Sequence, residues 1–472
     1  MSYSEFVGDV NSVLWGNVLI YALLAVGVLF SFRLGFLQIF RFPEFVRSVT
    51  RPAEKDHHGI TPMQALMTSL ASRVGTGNIA GVAVAITTGG PGALFWMWIV
   101  AFLGMATAYA ESTLAQLYKI EDHDGLYRGG PAFYISRGLK APWAGMLFAV
   151  MLLVVFGLAF NAVQANSIAE SMQESFGFDR THIGIFVAVL SGAVIFGGVR
   201  NIARVAEVVV PFMAVAYLGV ALWVLVANID QVPAALTMIF KSAFGLEQAA
   251  GGAVGGMTAA MLNGVKRGLY SNEAGMGSAP NIAAVAVPSP HHPSSQGFVQ
   301  ALGVFIDTIL ICTATGVMIL MSDAIQTNPG VTGTVLTQLA VASHIGPYGK
   351  DFVALAVFFF AFTSIIGNYA YAEGALTYMK IDNRLTLTLM RVLVLVFVLW
   401  GARESLTTVF DTADMTMGIM ALINLIGIVL LSGLVVKLTR DYFAQLKDNG
   451  NPRFRVSDYP ELKGQIDENI WK

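Results

Sequence analysis

The chain has 472 residues, of which 55% are hydrophobic and 12% charged, and its formal net charge is −2. Soluble domains carry about 25% charged residues, so a water-soluble globular protein is excluded, and the charge balance gives no reason to expect a nucleic-acid partner. The single cysteine, Cys312, excludes an internal disulfide and a multi-cysteine metal site and reads as a small apolar packing residue.

Apolar runs of about 20 residues, the length a helix needs to cross a bilayer, recur along nearly the whole chain. The expected fold class is an all-α integral membrane protein seated in the lipid bilayer. About 11 transmembrane helices are predicted, near 11–32, 64–88, 92–118, 143–170, 182–199, 205–227, 248–287, 297–321, 351–379, 385–402 and 413–437. The 48 glycines suit helices that pack closely with no hydrophobic drive between them. The first nine residues carry no Lys or Arg, unlike a signal peptide, so the first span is expected to be retained.

The second span contains Ser72-Arg73-Val74-Gly75-Thr76-Gly77-Asn78. A plain spanning helix has no use for two glycines, an arginine and an asparagine at mid-depth. In hydrocarbon every backbone N–H and C=O needs a partner, so a helix can break only where protein or a cavity covers it. A break of that kind frees amides for an anion such as an α-carboxylate and carbonyls for a cation, which is how many secondary transporters build their sites. The same residues would also serve close helix packing, with Asn78 bonding across helices.

Phe95-Trp96-Met97-Trp98, at the start of the third span, reads as an interfacial aromatic belt. In the fourth span, Gln164 and Asn166 offer amides to a substrate or to a neighbouring helix. The seventh segment, 248–287, is too long for one crossing: as a single helix it would reach about 60 Å, twice a bilayer core. It holds Ser271-Asn272-Glu273-Ala274-Gly275-Met276-Gly277-Ser278 and reads as a second broken helix. Lys266 and Arg267, one to two turns before Glu273, read as a structural ion pair with it inside the bundle. In the ninth span the hydroxyls of Thr363 and Ser364 could serve a hard cation such as sodium, but the residues by themselves favour ordinary bonds back to their own helix. Arg73, Glu111, Asp307, Glu373 and Asp414 are further charges near or within spans, open to relay, gating or pairing roles.

Basic residues orient the chain. Arg33, Arg41, Arg47, Arg51 and Lys55 follow span one; Lys119, Arg128, Arg137 and Lys140 follow span three; Arg200 and Arg204 follow span five; Lys380 and Arg384 follow span nine. The tail adds Lys437, Arg440, Lys447, Arg453 and Arg455, while the alternate loops are nearly empty. Positive loops stay in the cytoplasm, so the N-terminus is expected outside and the C-terminus inside, in a plasma membrane. The loop after span seven, Pro288-Ser-Pro-His-His-Pro, fits this poorly because it has no Lys or Arg. The two interrupted spans lie five apart. That spacing predicts a single transporter domain with an extra N-terminal helix (11–32), two five-helix inverted repeats (64–227 and 248–437) and a cytoplasmic tail (438–472).

No HExxH helix, Walker loop or dinucleotide fingerprint is present, and the histidines, among them His57, His58, His291 and His292, lie mostly in loops, so an enzyme is not expected. A passive channel would show a repeated filter or a ring of like charges; neither is seen.

Three long motifs in order resemble the alanine or glycine:cation symporter family: Val74-Gly-Thr-Gly-Asn-Ile-Ala-Gly81, Gly89-Gly-Pro-Gly-Ala-Leu-Phe-Trp-Met-Trp-Ile-Val-Ala-Phe-Leu-Gly104 and Ser271-Asn-Glu-Ala-Gly-Met-Gly-Ser278. The resemblance runs over nearly all of the chain. It implies the leucine-transporter-type fold and sodium-coupled, sometimes proton-coupled, uptake of small neutral amino acids. It further implies a substrate pocket at Gly75, Thr76, Gly77, Asn78 and Gln164, with Ser271, Asn272 and Asn368 nearby. Sodium would lie between the Ala71 and Val74 carbonyls and the Thr363 and Ser364 hydroxyls; no organic cofactor is implied. Some members carry a bulky aromatic where this chain has Asn368, so a larger or more polar amino acid such as serine or glutamine, or proton coupling, stays open.

Overall fold

The computed structural model describes residues 3–52, 57–123, 125–246 and 253–471. Lys55 and the first residues of the seventh segment, 248–252, lie outside the described residues. Apart from one two-strand pair, in which β1 (Ile120–Glu121) lies antiparallel to β2 (Tyr127–Arg128), the named elements are helices.

In chain order, α1 (Tyr3–Arg33) is followed by a short surface helix, α2 (Phe42–Thr50). Then come the half-helices α3 (Pro62–Arg73) and α4 (Gly77–Gly89). Next are α5 (Ala93–Leu117), α6 (Pro131–Gly138), α7 (Pro142–Phe176), α8 (Arg180–Ile195) and α9 (Gly198–Ala227). A short helix, α10 (Val232–Ala243), precedes a second pair, α11 (Ala253–Asn272) and α12 (Pro280–Val285). The chain continues through α13 (Ser294–Leu320), α14 (Gly333–Ile345), α15 (Tyr348–Tyr378), α16 (Arg384–Arg403), α17 (Leu406–Leu430) and α18 (Ser432–Asn449). Among the described residues, eight of these (α1, α5, α7, α9, α13, α15, α16, α17) are long and apolar enough to cross a bilayer, and α4 and α8 are shorter apolar helices. The protein is a multi-pass, all-α integral membrane protein.

Local chemistry sets the helix ends. Thr61 and Gln64 form a reciprocal capping box that opens α3, with Pro62 in the first turn. Gly177, in the left-handed region, closes α7, and the Asp179 carboxylate accepts from the amides of Thr181 and His182 to open α8.

Several boundaries depart from the sequence reading: α1 begins at Tyr3 rather than 11, and α9 at Gly198 rather than 205, so Arg200 and Arg204 lie in its first two turns and not in a loop. The last span is 406–430 rather than 413–437, and residues 432–449 form a separate helix after a break at Leu431. Asp414, inside both the expected and the observed span, is buried and paired within the bundle. The connection between the eighth and ninth spans contains α14, whose Leu336, Ala340 and Val341 are buried; it is too short to read as a crossing.

The core is built around α5, which packs against α11, α12, α13 and α1, while α7 packs on α15 and α16 and α3 lies between α9 and α15. Val208, Phe212 and Val215 of α9 and Leu385, Leu389 and Val392 of α16 point outward. Apolar side chains on the outside are stable when the surrounding solvent is lipid. On one face the tail folds back: Phe454 N–H donates to the His291 carbonyl at 3.0 Å, and the indole of Trp471 is fully buried and donates to Leu117 O at 3.1 Å. The Lys/Arg-free loop 288–293 therefore lies on the same side as the basic tail.

Candidate functional site

The two interrupted helices meet. α3 ends at Arg73, Val74 leaves the helical region (φ −75°, ψ 86°), and α4 resumes at Gly77. α11 ends at Asn272, and Glu273, Gly275 and Gly277 take φ values of 59°, 89° and 86° before α12 begins. A glutamate in this left-handed region is unusual and marks a held conformation. Across the gap, Asn78 Nδ2 donates to Ser271 Oγ at 3.1 Å and Thr76 Oγ1 lies 3.3 Å from Tyr270 OH. Ser72 Oγ lies 3.0 Å from Glu273 Oε1. All residues from Leu70 to Val82 are buried, so the break is covered by protein, as the hydrocarbon setting requires.

The amides freed by the first break have side-chain partners. Gly75 N–H donates to Asn78 Oδ1 at 3.0 Å, and Thr76 N–H donates to Gln164 Oε1 of α7, also at 3.0 Å. The backbone here is in close approach: a Cβ on Gly75 would collide with Ser364 Oγ and come within 2.8 Å of Gln164 Oε1. One on Gly77 would sit 3.0 Å from the Tyr270 ring and 3.1 Å from Ser271 Cα. Gly75, Thr76, Gly77, Asn78, Gln164 and Ser271 are thus brought together.

Asn272 and Asn368 stand apart from them. Asn272 Oδ1 accepts from Ala274 N–H at 3.0 Å and faces Gly104 of α5. Asn368 bridges Ser72, 2.6 Å from its Oδ1, and Asn161, whose Oδ1 accepts from Asn368 Nδ2 at 3.0 Å.

Ser364 Oγ lies 3.0 Å from the Ala71 carbonyl and 3.0 Å from Phe360 O of its own helix, so α15 touches α3 one turn before the break. Thr363 Oγ1 donates to Phe360 O at 2.9 Å, and Val74 is fully buried beside Ala71. The donor set at this contact is oxygen-only, neutral and buried, which suits a hard monovalent cation.

Asp307, on a π-helical stretch of α13 (Phe305–Cys312), anchors the far side of the break. Its carboxylate accepts from Asn78 Nδ2 (2.7 Å), Ser271 Oγ (2.7 Å) and Thr308 Oγ1 (2.7 Å). Cys312, expected among apolar neighbours, lies against this polar cluster, 3.1 Å from Ser271 Oγ. Glu111 of α5 holds the second break, with Oε1 accepting from Gly275 N–H at 3.3 Å and Oε2 from Asn424 Nδ2 at 2.7 Å.

The expected pairing of Lys266 and Arg267 with Glu273 does not occur. Lys266 Nζ lies 2.8 Å from Asp414 Oδ2 and Arg267 pairs with the same carboxylate, tying α11 to α17. The two cations lie N-terminal to the helix end, on the part of α11 that faces α17, whereas the left-handed turn carries Glu273 to the other side, against Ser72. Arg128 pairs with Asp122 and with Glu373 of α15, each at 2.9 Å. Asn166 bonds to carbonyls at the end of α16, Gly401 O and Glu404 O, and so takes the cross-helix role. The indoles of Trp96 and Trp98 donate to Ala243 O and Thr313 Oγ1 rather than lying free at a membrane surface.

Ser72, Asn161 and Tyr270 were not singled out from sequence. The signal for Asn161 was its spacing: three residues before Gln164, it shares that residue's helix face.

The model of the sodium:alanine symporter family matches residues 1–456. The chain is 46% identical over 451 residues to the probable sodium/glutamine symporter GlnT of Bacillus subtilis, covering 95% of this chain and 93% of that protein. It is 39% identical over 451 residues to the sodium/alanine symporter AgcS of Methanococcus maripaludis, covering 94% and 98%. Among solved structures, MhsT in complex with L-phenylalanine superposes with a TM-score of 0.56 over 82% of this chain and 99% of that one, at 11% identity, which establishes a shared fold. Two broken helices meeting at a buried polar site, in a bundle of this fold, with a family match over nearly the whole length, make the protein a secondary amino-acid transporter rather than an enzyme: it belongs to the sodium:alanine symporter family.

Proposed function

We propose that this protein is a sodium-coupled symporter that brings a small neutral amino acid, alanine and/or glycine, into the cell by alternating access. The observation that carries this reading is the break at residues 74–76. Its Gly75 and Thr76 amides are held by the displaceable side chains of Asn78 and Gln164. A substrate carboxylate would replace those acceptors at the positive end of α4. Gly75, Thr76, Gly77, Asn78, Gln164 and Ser271 would line the pocket, with Asn272 and Asn368 at its margins. Sodium would bridge Ala71 and Val74 of α3 to Thr363 and Ser364 of α15, closing one bundle on the other.

The same reading takes 64–227 and 248–437 as inverted repeats behind the extra helix 11–32. It places the N-terminus outside and the tail, 438–472, in the cytoplasm of a bacterial plasma membrane. The test is uptake of labelled alanine, glycine, serine and glutamine into proteoliposomes under a sodium gradient, a proton gradient or neither. Saturable alanine uptake that requires sodium is expected; uptake indifferent to any gradient would instead mean a passive channel.

A second reading is a proton-coupled symporter of serine or glutamine; the Asn368 amide and the likeness to a relative named as a sodium/glutamine symporter support its larger, more polar substrate and not its coupling ion. Asn368→Trp is expected to shift preference toward glycine and alanine by roughly ten- to a hundredfold, the scale of steric discrimination in such pockets. An unchanged competition profile would place Asn368 away from the pocket.

A further inference from the structure

Counting protons around the two breaks singles out one carboxyl. Asn161 Nδ2 donates to the carbonyls of Phe156 (2.8 Å) and Gly157 (3.1 Å), within the π-helical stretch Leu153–Ala159 of α7. Carbonyls only accept, so the Asn161 orientation is fixed. Its Oδ1 must then accept from Asn368 Nδ2, which turns Asn368 Oδ1 toward Ser72. At 2.6 Å, that contact takes the one proton Ser72 has. Yet Ser72 Oγ is also 3.0 Å from Glu273 Oε1, and two oxygens at that distance in a buried site need a proton between them. Ser72 has none left.

Glu273 Oε2 is already served by the Ser278 hydroxyl. Its two neighbouring carboxylates need nothing more: Asp307 receives three donors and Glu111 receives Gly275 N–H and Asn424 Nδ2. No cation is in salt-bridge contact with Glu273 among the described residues. Arg73 of α3, whose charge acts on Glu273 without a direct contact, donates to Gln300 O (3.2 Å) and Oε1 (3.3 Å) instead. The other titratable groups facing Glu273 are Glu111 of α5, Tyr270 of α11, Asp307 of α13 and Tyr371 of α15, whose buried hydroxyl also approaches Ser72 and can only add a donor to that oxygen, leaving the Ser72–Glu273 contact in need of a proton.

We infer that Glu273 is a neutral carboxylic acid in this conformation and is the transporter's proton-binding site, donating from Oε1 to Ser72 and through it to Asn368 and Asn161. The relay runs from the second break, across α3 and α15, to α7. Asn368 lies one turn after Ser364 on α15, so the proton supports the same α3–α15 contact at which Ser364 meets Ala71. Loss of the proton sets a carboxylate against a lone pair of Ser72 and loosens that contact. The proton and a cation at Ala71 and Ser364 therefore bind cooperatively. This coupling rests on the sodium reading above, whereas the protonation itself does not.

Two measurements separate the two. The first needs no transport: infrared spectra of the wild type should contain a protonated-carboxyl C=O band that is absent from Glu273→Gln and shifts in Ser72→Ala, which keeps the acid but removes its acceptor. Superimposable spectra of wild type and Glu273→Gln, or an unshifted band in Ser72→Ala, would overturn the assignment even if Glu273→Gln is poorly folded. The second is the pH dependence of sodium-driven alanine uptake. One linked proton makes the apparent sodium affinity fall about tenfold per pH unit above its titration, and this slope should vanish in Glu273→Gln. A variant slope equal to that of the wild type would refute the coupling while leaving sodium symport intact.

Discussion

Ser364 and Thr363 are adjacent but not equivalent. Both hydroxyls bond to Phe360 O, yet only Ser364 also reaches the Ala71 carbonyl on α3. A neutral oxygen that ligates a cation makes an ion–dipole contact, whose loss we scale by that of a hydrogen bond to a charged group, about 1.5–3 kcal/mol, or roughly ten- to a hundredfold in affinity. Ser364→Ala is expected to raise the sodium concentration for half-maximal uptake by that factor, Thr363→Ala by less, and the double variant to abolish sodium stimulation with the protein still inserted. Unchanged sodium dependence in the double variant would remove these residues from the site. At Gly75 the argument is steric. A methyl group there meets Ser364 Oγ and Gln164 together, and Gln164 holds the Thr76 amide. Gly75→Ala should therefore abolish uptake without loss of membrane insertion, as surface expression measured beside transport would reveal.

At the scale of elements, the loop between α12 and α13 joins the second broken helix to the tail. His292 Nδ1 accepts from Ser294 N–H at 3.1 Å, in the first turn of α13, and its Nε2 lies 3.3 Å from Asp441 Oδ2 of α18. Accepting at Nδ1 and donating at Nε2 defines the neutral tautomer. Burial pushes the imidazole below its ordinary value of 6.5, against the pull of the Asp441 carboxylate. Unfolded or undocked chain then binds the proton more readily than the folded state. The stability of this docking is complete above the ordinary histidine value and is lost as pH falls through the lower folded one. Limited proteolysis of the tail should accelerate on acidification, and His292→Gln should flatten that dependence. A tail equally protected at pH 5 and pH 8 would mean that the histidine does not govern docking.

Across the whole molecule, two buried ion networks bridge distant parts of the chain. Arg128, from the β1–β2 region, reaches Glu373 of α15, and Lys266 and Arg267 of α11 share Asp414 of α17. A buried pair is a modest source of net stability, but removing one partner strands a charge and costs about 3–5 kcal/mol. Asp414→Asn strands two cations. It is expected to lower the melting temperature in detergent substantially, and replacing Arg267 with Met in the same background should recover part of the loss. An unaltered melting temperature in Asp414→Asn would show that water, rather than Asp414, compensates these cations.

Residue order alone determined the membrane class, most of the spans and both breaks. Apolar length is a local property, and glycines beside an asparagine or glutamate at mid-depth can be tolerated only in a covered interruption. Gly75 to Asn78 and Ser271 lie in those two interruptions and stood out for the same reason, whereas Gln164 stood out only as an amide inside a span. Partnership was not legible. Nothing local says that Lys266 and Arg267 turn to Asp414 rather than to Glu273, six or seven positions away, because the left-handed turn at Glu273 redirects that side chain. Nor does sequence distance suggest that Ser72, Asn368 and Asn161 form one relay, since their contacts span 207 to 296 residues. A hydrogen bond or ion pair depends on position in space to within a fraction of an ångström. Only the packing of α3, α7, α11 and α15 against one another fixes which of the many available polar groups comes that close.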